Sequence, residues 1–296
     1  MIPCGHLDRS RATIVPLSEN TRIQIAGRPP VPDENAVVGA AFLAGGANVI
    51  MQLARPGVGY GVLESRVESG RLERHPVKRT RTTFSYLAVA MMGTPEEKAA
   101  YRKAVNAQHA QVRSTEDSPV RYNAFDPDLQ LWVAACLYRG FEDTHQAFLG
   151  PLRREERERF YQSAATLGTT LQMPAEAWPP DRDAFEEYWT GSLDRIRIDE
   201  PVRRFLLDLA DLKFLPRPLP ALLGRFHRFV TTGFLPEPFR ARLGLPWSAG
   251  DQRRFERLVA AVGLLVRLQP PSLRRFPYDL LLWDVRRRIR TGKPLV

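Results

Sequence analysis

The chain has 296 residues, 44% of them hydrophobic, and a formal net charge of +10. That is ample for a folded core, as one large domain or two small ones, and the basic balance speaks to solubility and anionic partners rather than to fold. Only two cysteines occur, Cys4 and Cys136, and neither stands in a CxxC or zinc spacing, which argues against a disulfide framework and a structural zinc site. Residues 1–35 are rich in Pro, Arg and Ser without periodicity and read as an extended arm. They show no basic run followed by an apolar stretch, so an intracellular, cytoplasmic protein is expected. The segment from Ala36 to Ala54, AVVGAAFLAGGANVIMQLA, is about long enough to span a bilayer, but Asn48, Gln52 and three glycines make a buried core helix the better reading. RPGVGYGVLES then reads as a loop whose glycines lack a preceding strand and the GxGxxG spacing of a dinucleotide fingerprint.

Clear start and stop signals follow. HPVKRTRTTFSYLAVAMMG opens with a first-turn proline and closes at Gly93. In TPEE, Thr94 suits an N-cap, Pro95 the first turn and Glu97 a capping box, which predicts a helix to about Arg113. Asp126 and Pro127 repeat the device, and Leu129, Trp132, Val133, Cys136 and Leu137 then form one apolar stripe. PLRREERERFYQSAATLG reads as an amphipathic helix, and further helices are predicted at Asp183–Trp189, Glu200–Leu212, Leu219–Thr231, Gly250–Leu268 and Tyr278–Ile289. Period-two runs are nearly absent. The expected fold is all-α, a single large helical domain of roughly ten helices over residues 36–296.

Tyr101, Val105, His109 and Val112 stand at spacings of four, four and three, which turns His109 toward the core with the apolar stripe. A buried histidine bonded to a carbonyl or carboxylate explains this; a neutral imidazole facing an apolar cavity also suits a haem iron. Upstream, Arg79, Thr83 and Tyr86 share one helical face, either a solvated edge or a polar set lining an apolar pocket. Glu64 is a candidate base if it borders such a pocket, and otherwise a surface glutamate. A di-iron carboxylate bundle needs two Glu-x-x-His pairs, and only Glu142 and His145 supply one. There is no HExxH, GxSxG or P-loop. His227, between Phe226 and Phe229, takes no assigned role.

From about Val38 to Tyr188 the order of these stretches resembles the MpaB/latex-clearing-protein (rubber oxygenase) catalytic domain. AGGANVIMQLARPGVGYGVLES, RTRTTFSYLAVAMMGTPEE, NAQHAQVR, YNAFDPDLQLWVAACL and PLRREERERFY carry the resemblance. It implies an all-α fold with a globin-like core, haem b, and dioxygen-dependent cleavage of isoprenoid double bonds. It places the proximal haem ligand on His109, the pocket glutamate on Glu64, the pocket arginine on Arg79 and the threonine on Thr83. Rubber-cleaving members carry a lysine just before that threonine. Here the position is Thr82, which turns the expected substrate from polyisoprene toward a small apolar olefin.

Two other readings stand beside it. One is a non-catalytic helical module that binds a lipid or haem. The other is a weak peripheral membrane contact through the basic C-terminal helix, with Arg274, Arg275, Arg286, Arg287, Arg288, Arg290 and Lys293 alongside Leu281, Leu282 and Trp283. A solvated basic face explains the same residues. No nucleic-acid-binding motif is recognisable, so no nucleic-acid partner is expected.

Overall fold

A computed structural model describes residues 37–67, 72 and 74–296, which fall within one compact unit, Pro32–Val296. The expected arm at residues 1–35 lies outside the described residues. These are built of helices, with a single isolated bridge between Arg113 and Asn123 and no strand among them. Leaving aside the single turns Thr166–Thr169 and Pro271–Arg274, the α-helices are α1 (Gly45–Leu53), α2 (Pro56–Leu63), α3 (Pro76–Met92), α4 (Pro95–His109), α5 (Pro127–Leu149), α6 (Arg154–Ala164), α7 (Arg182–Leu193), α8 (Glu200–Ala210), α9 (Leu219–Phe234), α10 (Glu237–Leu243), α11 (Ala249–Leu268) and α12 (Tyr278–Thr291). The all-α expectation holds. No helix among the described residues is long and apolar enough to cross a membrane.

The central element is α5, capped by the Asp126 carboxylate, which accepts from the backbone of Asp128 and Leu129. Along it Trp132, Ala135, Cys136 and Tyr138 are fully buried. Trp132 stacks on Trp189 of α7 (5.4 Å between ring centroids) and donates to the Gln52 carbonyl at 3.0 Å. Tyr138 meets Phe160, Tyr161, Trp178 and Phe185 in an aromatic cluster. Such rings bury large areas and set geometry through edge-to-face contacts, so this cluster fixes α6 and α7 against α5.

Three sequence expectations are corrected. The segment from Ala36 is not one helix: Gly39–Ala44 is a 3-10 helix and α1 starts at Gly45. Its glycines serve close approach: a Cβ on Gly46 would lie 2.7 Å from Thr231 Oγ1 and 2.9 Å from His227 Cε1 on α9. The supposed loop after Arg55 is the helix α2, with Pro56 in its first turn. Its glycines are contact points, since a Cβ on Gly59 would sit 2.6 Å from the Leu53 carbonyl oxygen. Finally, α4 begins at the predicted capping box but ends at His109, not Arg113. The chain there turns to pair with the segment before α5, Ala124 donating to the Val112 carbonyl at 3.0 Å and Ser114 to that of Tyr122 at 2.9 Å.

Candidate functional site

His109 occupies the last residue of α4, and Arg79 and Thr83 lie one turn apart on α3. The antiparallel turn between these helices, Gly93 followed by the Thr94 capping box, brings their faces together. His109 is partly buried and its Nδ1 has no hydrogen-bond partner. The ring of Phe125 meets it edge-on at 6.3 Å. Burial first, and then the Arg79 charge, lower the His109 pKa from 6.5 to about 4, against a smaller opposing pull from the Gln172 amide. The imidazole is therefore neutral near pH 7.

Arg79 is the second anomaly. Burial lowers its pKa, and only Tyr101 opposes that. No carboxylate among the described residues pairs with it, whereas Arg81 on the same helix reaches Asp284 at 3.6 Å. A guanidinium stays charged in a protein, so α3 holds a partly buried cation, without a carboxylate partner among the described residues, near a neutral histidine. Such a pair is costly as pure structure and is suited to an anionic or electron-rich guest.

Around His109 runs a chain of amides that the sequence did not disclose. Gln130 of α5 donates to the Ala124 carbonyl and to Gln172 Oε1, both at 2.8 Å, and Gln172 donates to Asn106 Oδ1. Asn106 is three residues before His109, a helical spacing that could have flagged it; Gln130 and Gln172 come from distant segments and carried no local signal.

Glu64 caps the end of α2. Its Oε2 accepts hydrogen bonds from Ser118 Oγ at 2.6 Å and Tyr122 Oη at 2.7 Å. Both donors lie on the segment that follows His109, so one loop touches both candidates. Among the described residues no hydrogen bond joins Glu64 to His109, Arg79 or Thr83. The structure thus sets Arg79 beside His109, keeps Thr83 on the same helical face, and holds Glu64 across the 110–126 loop. Thr82, at the departure from the rubber-cleaving pattern, faces elsewhere: its Oγ1 donates to the Lys78 carbonyl at 2.9 Å, and its own carbonyl accepts from Tyr101 Oη at 2.7 Å. Glu142 and His145 sit on the far half of α5, where buried Glu142 pairs with Arg182 at 2.9 Å. No group of three potential ligands that could hold a metal ion occurs among the described residues.

The described residues thus place a neutral, partly unsatisfied histidine and a partly buried arginine without a carboxylate partner on neighbouring helices of an all-α body. Comparison with known families gives the class: residues 36–264 match the ER-bound oxygenase mpaB/B'/rubber oxygenase catalytic domain, and the chain belongs to that family of oxygenase catalytic domains. The match runs well past Tyr188, taking in α8, α9 and most of α11, which the sequence motifs had not reached. Among curated proteins, an uncharacterized protein of Mycobacterium tuberculosis and one of Mycobacterium bovis are each 57% identical over 250 residues, covering 84% of this chain and 98% of the relative. No solved structure matches the chain.

Proposed function

We propose that the chain is a haem-b-dependent oxygenase acting on a small apolar olefin, isoprenoid or otherwise lipid-like, with His109 as the residue that would hold the iron. The observation that carries this reading is the neutral imidazole of His109, its Nδ1 without a partner, near Arg79. Imidazole binds iron through a free ring nitrogen and only when that nitrogen is unprotonated, so these residues fit the group. Bound haem supplies iron chemistry that activates dioxygen, which no side chain can provide.

The chain's own residues do the rest. His109 offers its ring lone pair, and the low pKa keeps it available in mildly acidic solution. Arg79 would offer its planar fork to the carboxylate of a propionate. Thr83 Oγ1, one turn further along α3, would be placed to donate a hydrogen bond to a bound group. Glu64 holds its Oε2 between two hydroxyl donors and leaves Oε1 to take and return a proton. Phe125 meets the His109 ring edge-on and covers part of it. Thr82 in place of a lysine, with its hydroxyl bonded back into α3, favours a small substrate over a polymer. The test is dioxygen uptake by haem-loaded protein in the presence of a short isoprenoid olefin. The reading expects uptake matched by carbonyl products, lost in Glu64→Gln and Arg79→Ala; uptake no greater than that of haem-free protein contradicts it.

A further inference from the structure

The net charge of the chain is concentrated at one end of the sequence. Residues 212–296 carry 17 Lys and Arg against 5 Asp and Glu, a net of +12, while the whole chain carries +10. The same 85 residues also carry most of the exposed large apolar side chains.

Those side chains are ordered. On α9, Leu219, Leu222, Leu223 and Phe226 stand at i, i+3, i+4 and i+7, all exposed, with Leu222 70% accessible. The side of α9 turned away from this stripe is the packed one, where Gly224 and Thr231 are buried, and the stripe's own line goes under cover only at Val230, beyond Phe226. On α11, Leu264, Leu265 and Leu268 form a second exposed stripe, Leu268 at 74%. A helix of a water-soluble surface turns such a stripe inward; here two helices turn one outward.

On their packed sides both helices meet the 3-10 turn Gly39–Ala44, with Phe234 of α9 and Val262 of α11 joining Leu43 around one small cluster. Val38, just before it, shares a small buried cluster with Val266 of α11. Gly39 abuts the Phe276 backbone so closely that a Cβ would lie 1.7 Å from its carbonyl oxygen. Phe42 lines an apolar groove of about 350 Å3 together with Val77, Leu215, Leu280 and Leu281. Leu215 leads directly into α9, and Val77 is 81% exposed. Leu273, Phe276, Leu280 and Trp283 add exposed apolar surface beside the groove. Arg217 and Arg225 flank the α9 stripe and are exposed. The basic tail of α12 contributes less than its sequence promised, because Arg286 is held by Glu97 at 2.7 Å and Arg288 by Asp284 at 2.6 Å.

From this we infer that the exposed faces of α9 and the α11–α12 junction form a docking surface for an anionic phospholipid bilayer, with Leu222, Phe226 and Leu268 entering the headgroup boundary. Contiguous apolar surface on a soluble monomer marks an interaction site. Apolar side chains set among excess Lys and Arg match a bilayer's two layers, acyl chains beneath negative headgroups. Nucleic acid matches the charge but not the aliphatic stripes. The inference does not depend on haem, and its test needs none.

The test is vesicle flotation with the full chain, using phosphatidylcholine alone or with phosphatidylserine, over a salt series. The wild type is expected to float with the anionic vesicles, less so as salt rises. The double variant Leu222→Glu, Phe226→Glu is expected to lose partitioning by roughly tenfold or more. Lys103→Glu, which changes the net charge equally at an exposed site on α4, is expected to bind as the wild type does. Circular dichroism checks that both variants are folded. Equal flotation of the double variant and wild type overturns the inference. So does wild-type protein that ignores vesicles but is a dimer that the double variant dissolves, which would give the surface to a second copy. Binding to a DNA duplex without vesicle binding, unaffected by the double variant, overturns it as well.

Discussion

Asp143 on α5 gives a quantitative check on the electrostatics. It borders a cleft of about 390 Å3 formed with Gly233, Phe234 and Phe255, with Glu256 on the same rim. Burial raises its pKa from 3.8 to about 6; Arg139 opposes the rise, and Glu142 and Glu186 add to it. Between these two values the unfolded chain releases a proton that the folded chain keeps. Stability therefore falls as pH rises through that window, and the cost is complete above about pH 6. A rise from 3.8 to about 6 corresponds to about 3 kcal/mol. Water in the cleft screens one side of the carboxylate, so we expect about 2 kcal/mol in practice. Asp143→Asn keeps the shape of the neutral acid. It should leave stability nearly unchanged at about pH 4 and raise it by about 2 kcal/mol at about pH 8. Urea denaturation of both proteins at the two pH values measures the difference. A gain that is the same at both, or a loss at the higher pH, would show that attraction to Arg139 outweighs burial and would refute the reasoning.

Further predictions concern local contacts. Tyr122→Phe removes one donor from Glu64 and should cost about 1.5–3 kcal/mol in denaturant unfolding, as expected for a hydrogen bond to a charged group. Gly140→Ala would place a Cβ 2.2 Å from Asn48 Nδ2, displacing the amide that donates to the Cys136 carbonyl. It should lower stability by about 1–3 kcal/mol, visible as a reduced Tm. Thr94→Ala removes half of the α4 capping box and should cost about 1 kcal/mol by denaturant unfolding.

Where a signal is local, the sequence and the structure agree. Thr94 and Asp126 cap α4 and α5 as their side chains predict, because a cap needs only neighbours two or three residues away. The departures come from distant contacts. The glycines of α2 read as breakers because their reasons, the Leu53 carbonyl facing Gly59 and the Tyr122 ring facing Gly61, are set by the fold. Likewise α4 stops at His109 because Val112 pairs with Ala124 across a loop. The seven-residue α10 escaped notice because so short a helix shows little periodicity, although Gly244, in the left-handed region at φ 67°, marks its end. In the site, helical spacing found the inward turn of His109 and the shared face of Arg79 and Thr83. The lack of an acidic partner for Arg79 among the described residues, and the amide chain through Gln130 and Gln172, depend on what is absent from or brought to that face, which spacing does not report.

The most direct test of the central claim is the absorption spectrum and iron content of the protein produced with ample haem, beside His109→Ala. The account predicts a Soret band with about one iron per chain in the wild type, and its loss in folded His109→Ala. A folded wild type without a Soret band, or a band that survives unchanged in His109→Ala, would contradict it.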